Sequence, residues 1–272
     1  MSELDIRDLT TLEDFATAGV LIQRVWGSTP ERSPLNVQQL PAMVHAGCQV
    51  SAAFEGDLMV AATMAFLGRH EAETILHSHV TGVDPERQGG GIGLAMKLHQ
   101  RQWCLDRGIG VVTWTFDPLV AANARFNLGR LGARGVQYLR NFYGVMDDDL
   151  NRDDPTDRLV TRWELESDTV VEALRSGPVE LSTADGLVDA GAERAVTVGD
   201  NGPETRSTRA ARRLVALPGD VVALRTRRSP TAPAWRQAVR VALEAALADG
   251  HVIGPVTAEG DLITERVKGD HP

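Results

Sequence analysis

Lysine is almost missing from this sequence. Among 272 residues only Lys97 and Lys268 occur, so arginine supplies nearly all of the 28 basic side chains, which face 37 acidic ones. A nucleic-acid or acidic-membrane partner favours a basic face, and a formal net charge of −9 argues against both, while leaving room for a local basic pocket. Cysteine is scarce too. Cys48 and Cys104 stand near neither each other nor a histidine at a metal-ligand spacing, which gives no zinc signature and suggests two buried thiols in a reducing compartment. No apolar run approaches the ~20 residues of a membrane span. The acidic start "MSELDIRDLTTLEDF" lacks the apolar core of a signal peptide. From these absences a cytoplasmic protein is expected, with neither membrane nor nucleic acid as partner. What remains is an ordinary globular composition, 43% hydrophobic and 24% charged, long enough for one large domain or two small ones.

The pattern begins with a strand, "LDIRDLT", and a helix that Thr10 or Thr11 can cap, running to about Trp26 and closed by Gly27. A second helix, "LNVQQLPAMVHAG", is bent or broken at Pro41. Three strand-like runs follow, "CQVSAAFEG", "LMVAATMAFLG" and "TILHSHVTGV", the first two joined by a tight turn at Glu55-Gly56-Asp57. Beyond a glycine-rich stretch, Leu94, Leu98, Trp103 and Leu105 suggest a helical stripe ending at Gly108. "VVTWTF" is a strand, "PLVAANARFNLGRLGA" a helix, and "VQYLRNFYG" and "RLVTRWELE" two more strands. This is an α+β arrangement, with its boundary expected near Glu166: residues 1–166 form one domain and 167–272 a smaller α/β half-domain packed on it. In the second part "AERAVTVGDNGPETRSTRAARR" reads as polar turns and "LVALPGDVVALR" as strand, turn and a second strand. "APAWRQAVRVALEAALADG" is a helix capped by Gly250, followed by two short strands around Glu259-Gly260-Asp261.

Gly89, Gly90, Gly91 and Gly93 crowd the start of a helix, where each glycine costs about 1 kcal/mol relative to alanine. A strand, a glycine turn and a helix N-terminus together make an anion site. The first N–H groups of the helix have no internal partner, and glycine lets a phosphate approach them. The G-x-G-x-x-G dinucleotide pattern is not met, and the G-K-[ST] of a P-loop is absent. The pattern Q/R-x-x-G-x-G/A is met by Gln88, Gly91 and Gly93.

"VDPERQGGGIGLAMKLH" resembles the cofactor-binding motif of the GNAT superfamily of acyl-CoA N-acyltransferases, and the order of elements around it is also theirs. "LHSHVTGVDPE", "TWTFDPLVAANARFNLGRLGA" and "TDRLVTRWEL" resemble an uncharacterised bacterial GNAT subgroup with a C-terminal extension. The resemblance implies a mixed, mostly antiparallel central sheet in which two strands, "ILHSHVTGV" and "VVTWTF", splay apart. Acetyl-CoA or another acyl-CoA would lie in the gap as cosubstrate, its pantetheine amides on backbone near Thr81 and Val83. Its pyrophosphate would sit on the N–H groups of Gln88, Gly89, Gly90, Gly91, Ile92 and Gly93, with Asn123 a further contact. No metal is implied. The acceptor would be a primary amine of a small molecule such as an amino acid, the acyl group acetyl or succinyl, and the assembly a homodimer.

Direct acyl transfer needs a base for the ammonium, donors for the oxyanion and a route for the thiolate to leave. His77 and His79 share one strand face and titrate near neutrality. His77 also lies eleven residues before Gln88, where several members of the superfamily carry a base. The tyrosine that many of them use as general acid is missing, since its place holds Leu128. Tyr143, and after it Tyr138, are the substitutes available. That gap sustains an alternative reading, a CoA-binding sensor or scaffold without turnover.

Overall fold

The computed structural model describes residues 4–144, 146, 154–175 and 181–266. They fall into two compact units that divide between Trp114 and Thr115. The division lies well upstream of the boundary expected at Glu166. The reason is pairing: the strands that follow Trp114 hydrogen-bond with strands from the end of the chain, so no break occurs at 166/167.

In the first unit the strands run in the order β1 (Leu4–Asp8), β2 (Gln49–Glu55), β3 (Leu58–His70), β4 (Glu73–Val83) and β5 (Val111–Phe116). The last two residues of β5 belong to the second unit. Pairing is antiparallel as far as β4, and β4 then meets β5 in parallel. Helix α1 (Leu12–Trp26) starts where Thr11 Oγ1 accepts the Asp14 N–H at 3.1 Å, and ends at Gly27 with φ 60°. It buries Phe15, Ala18, Leu21 and Ile22 against Val50, Ala52, Met64 and Val80. Each large apolar side chain so buried stabilises the unit by about 1.5–3 kcal/mol. The packing is close at Gly82, where a Cβ would come within 2.8 Å of Ile22 and 2.9 Å of Trp26. Helix α2 (Leu40–His45) is shorter than expected. A 3-10 turn over Val37–Gln39 precedes it, and Pro41 sits in its first turn, where no N–H is needed. Helix α3 (Ile92–Leu105) covers the opposite sheet face, with Ile92 and Met96 against Ala53, Val60 and Ala61. Its buried residues also include Lys97, Gln100, Trp103 and Cys104; of the stripe read from the sequence Trp103 is buried, Leu94 and Leu105 are half-buried and Leu98 is exposed.

In the second unit the strand order is β7 (Arg158–Glu164), β6 (Arg134–Leu139), β11 (His251–Val256), β12 (Leu262–Arg266), β10 (Arg212–Val215), β8 (Glu193–Gly199) and β9 (Gly202–Thr205). The polar stretch expected to be turns thus contributes β8 and β9. "DVVALR" is α7 (Val221–Thr226) and no strand, because Asp220 caps it by accepting the Ala223 N–H at 2.9 Å. The long helix is α8 (Thr231–Ala248), whose Trp235, Val239 and Leu243 pack on Leu159, Val215, Ile253 and Leu262. Helices α5 (Asp168–Arg175) and α6 (Ala184–Asp189) complete the unit, together with α4 (Ala121–Ala124), which widens into a π-helical turn over Arg125–Arg130. A buried ion cluster ties these elements together. Asp117 accepts from Arg225 at 2.5 Å and from Arg236 at 2.8 and 2.9 Å, and Asp154 accepts from the same two guanidiniums at 2.7 and 2.8 Å. Burial alone would raise the Asp117 carboxyl, but Arg236 and Arg225 outweigh it and hold it at about 2.

Candidate active site

The turn between β4 and α3 is pinned at its ends and open in its middle. Asp84 pairs with Arg24 and accepts the Glu86 N–H at 3.0 Å, and Arg87 pairs with Glu55 at 3.0 Å. Gln88 Nε2 donates to the Val83 carbonyl at 3.2 Å, which closes the turn back onto β4. Gly89 and Gly91 take φ of 81° and 82°, a region that side-chain-bearing residues avoid, and a Cβ built on either meets nothing within 4 Å. Gly91 is the N-cap of α3, with no side chain capping it. The first backbone hydrogen bond beyond the glycines is Ala95 N–H to the Gly91 carbonyl, so the N–H groups from Gln88 to Leu94 have no backbone acceptor among the described residues. Open space, unused donors and the positive end of a fourteen-residue helix make a cradle for an anion.

Strand β4 changes character at His79. The register with β3 runs His77 to Phe66 and Ser78 to Ala65, then Val80 to Met64, so His79 is an extra residue in a bulge. The bulge breaks the alternation: Ser78 meets α3, whereas Val80 joins the core under α1. Pairing with β5 ends close by, at His77 opposite Thr113. From Ser78 to Val83 the β5-side edge of β4 is unpaired among the described residues, which leaves peptide groups for an extended ligand to add onto. On that stretch Thr81 Oγ1 lies 2.7 Å from Thr63 Oγ1.

The structure brings the two histidines together. His77 Nδ1 lies 3.0 Å from Thr113 Oγ1, and the His79 ring packs on Phe66 with centroids 5.1 Å apart. Burial holds the His77 imidazole below its ordinary value, and the positive charges of His79 and Lys97 push it the same way. Burial likewise lowers His79, against the opposing effect of its hydrogen bond to the Pro34 backbone. A histidine in this state is neutral at pH 7 and can take a proton.

Asn123 and Tyr143 belong to the second unit. Asn123 is exposed and its side chain makes no hydrogen bond among the described residues. The Tyr143 hydroxyl lies 3.1 Å from Thr115 Oγ1, with the Arg158 guanidinium 5.3 Å from its ring centre. Tyr138 is differently placed: it donates to Asp157 at 2.7 Å, and burial and that carboxylate push its ionisation above the ordinary tyrosine value. Leu128 is 2% exposed, inside the core of the second unit. The Asp157 carboxylate accepts from Arg240 at 2.8 Å, and its backbone carbonyl accepts from the Arg158 guanidinium at 3.0 Å.

Sequence reasoning passed over the buried polar group beneath β4. Lys97 Nζ donates to Ser78 Oγ and Gln100 Oε1, both at 2.9 Å, and lies 4.3 Å from the centre of the Trp114 ring. Gln100 in turn donates to Gln49 at 2.9 Å. The signal was present: one of only two lysines stands a helical turn after the glycines, between Met96 and Gln100. Among the described residues no cluster of three or more His, Cys, Asp or Glu side chains could hold a metal, and no helix is long and apolar enough to cross a membrane.

No family model and no curated protein matches the chain. Solved structures do. A GNAT-family protein from Desulfovibrio desulfuricans aligns at 18% identity and a TM-score of 0.50, over 60% of this chain and 99% of its own. The ribosomal-protein-S18-alanine N-acetyltransferase of Escherichia coli aligns at 19% identity and 0.48, over 61% and 96%. The Salmonella typhimurium protein yncA, solved with acetyl-CoA, gives 17% and 0.48 over 60% and 95%. The strand order, the glycine turn at the head of α3 and the first of these alignments agree that this chain has the GNAT fold.

Proposed function

We propose that the protein is an acyl-CoA N-acyltransferase acting on a primary amine of a small molecule such as an amino acid, with an acetyl or succinyl group as the acyl unit. The observation that carries this reading is the turn from Gln88 to Gly93. It offers unused N–H groups, two glycines at positive φ and open space where their side chains would be. The acyl-CoA pyrophosphate fits there without a lysine, and the pantetheine amides fit the unpaired edge of β4 near Thr81 and Val83.

In the proposed reaction the amine nitrogen attacks the thioester carbonyl. A C–N bond forms, the C–S bond breaks and CoA leaves as thiolate. His77 accepts the ammonium proton, directly or through water, with His79 beside it. Backbone N–H groups near Val80 to Gly82 stabilise the oxyanion. Tyr143 supplies the proton that turns the departing thiolate into the thiol, and the second proton shed by the new amide nitrogen restores the tyrosine. Asn123 is proposed as a further CoA contact, the protein as cytoplasmic, and the assembly as a homodimer. A thiol-release assay with acetyl-, propionyl- and succinyl-CoA against an amino-acid panel tests the proposal. Amine-dependent release with at least one donor supports it, and no release with any pair contradicts it.

One observation favours a second reading, a CoA-binding protein without turnover: Leu128 fills an apolar core position where the GNAT resemblance leads one to look for a tyrosine. That reading predicts CoA binding with no release in the same assay.

A further inference from the structure

Lys97 is the most deeply buried cation of the first unit, and the reading above gives it no task. It projects from α3, one turn beyond the glycines, to the place where β4 and β5 stop pairing. The last pair is His77 with Thr113. The next residue on each strand is Ser78 and Trp114, and these are the two that Lys97 touches, Ser78 by a hydrogen bond and Trp114 by placing the amine over its ring. Its remaining hydrogen bond goes to Gln100, which is fixed in turn by Gln49 of β2. All the amine's donor directions are therefore used, and among the described residues no carboxylate contacts it. A buried ammonium with no counter-ion is a costly group, and a methionine of the same length would fill the volume without that penalty.

We infer that Lys97 is a positioning residue. It brackets the first two residues past the last β4–β5 pair and so fixes where the strands separate and how the His77–Thr113 pair is held above that point. The inference rests on the acyl-transfer reading for its catalytic consequence, but its geometric content does not. On the other face of the sheet His77 is bonded to Thr113, so a shift of Ser78 or Trp114 moves the proposed base and its partner. Among the groups that bear on the amine, His77 of β4 and Cys104 of α3 are titratable, while Ser78, Gln49, Gln100 and Trp114 are not. The Cys104 thiol is pushed up to about 12 by burial and stays neutral.

The test compares the whole protein with its Lys97→Met and Ser78→Ala variants. The measurements are histidine titration by NMR, amide shifts of Ser78 and Trp114, calorimetric binding of CoA, and steady-state rates with whichever acyl-CoA and amine pair releases thiol. In Lys97→Met the His77 midpoint should move upward, because a positive charge that lowers it is gone, and the two amide shifts should change. CoA affinity should stay within about threefold. The turnover number should fall roughly 10- to 100-fold, the range expected when reacting groups are misplaced by up to an ångström, with KM for acyl-CoA nearly unchanged. Ser78→Ala should reproduce part of the rate loss with a smaller shift of His77. A folded Lys97→Met protein with wild-type His77 titration and wild-type amide shifts overturns the inference, whatever the rates. If the wild-type protein neither binds CoA nor releases thiol, the acyl-transfer reading falls, and the NMR measurements still decide whether Lys97 is the bracket. A protein that fails to fold as Lys97→Met is replaced by Ser78→Ala, judged by the same shifts.

Discussion

Lys97 makes a quantitative prediction about stability. Burial pulls its ammonium from 10.5 down to about 7. In the unfolded chain it holds its proton until about pH 10.5, so between pH 7 and that value the unfolded state binds more protons than the folded one. Stability must then rise with pH, and the contribution is lost as pH falls through 7. At pH 7 the folded lysine is half protonated and at pH 9 neutral, while the unfolded lysine is charged at both. Integrating the difference gives a gain of about 2 kcal/mol from pH 7 to pH 9 for this one group. Lys97→Met removes it. The assay is urea unfolding of both proteins at pH 7, 8 and 9, followed by the signal of the first unit, with the variant subtracted from wild type. Subtraction cancels the remaining groups, including Cys104, whose thiol is half ionised at pH 9 in the unfolded chain and stays neutral in the folded one. Wild type should gain on the variant by about 2 kcal/mol across the range, and Lys97→Met should be the more stable protein at pH 7. Parallel pH dependences for the two proteins would refute the placement of a desolvated, uncompensated lysine under β4.

Three further outcomes are expected. His77→Ala should lower turnover by roughly 100-fold, within the usual range for loss of a general base, while CoA affinity changes less than twofold; the wild-type rate should fall on acidification only below pH 6.5, since His77 is held below that value. Tyr143→Phe, which loses only the hydroxyl near Thr115, should reduce turnover with the fold and CoA binding intact, and a wild-type rate would remove Tyr143 as the acid. Asp117→Asn should destabilise the second unit by about 3–5 kcal/mol, because it leaves Arg225 and Arg236 sharing one buried carboxylate; a midpoint in urea unchanged from wild type would show that the cluster carries no stability.

The sequence made the first unit readable because its local signals agree with its tertiary contacts. Thr11 and Gly27 bracket α1, continuous apolar runs mark β2 and β3, alternation marks β4, and glycines announce the turn before α3. The stripe on α3 misled because Leu98 is exposed while Lys97 and Gln100 are buried, so polarity and burial part company there. The second unit was less legible. Strands β8 and β9 are short and polar, Asp220 turns an apparent strand into α7, and the boundary at Trp114 follows from pairing between β6 and β11, which are more than a hundred residues apart. The bulge at His79 is of the same kind: nothing in "HSHV" announces it, since it exists only as a mismatch with β3. The histidines could be named from the sequence, but the lysine behind them required the strands to be seen parting.

The central claim is that the glycine turn holds the cosubstrate, and calorimetric titration of CoA into wild-type, Gly91→Val and Gly56→Val proteins tests it most directly. Both glycines have positive φ and open space at Cβ, so both variants carry comparable backbone strain, but Gly56 lies in the β2–β3 turn, next to the Glu55 that holds Arg87, and contributes none of the N–H groups of the cradle. The account predicts that Gly91→Val loses CoA affinity by at least tenfold, about 1.4 kcal/mol, while Gly56→Val binds as wild type does. Equal CoA affinity in a folded Gly91→Val protein, or equal loss in both variants, would contradict it.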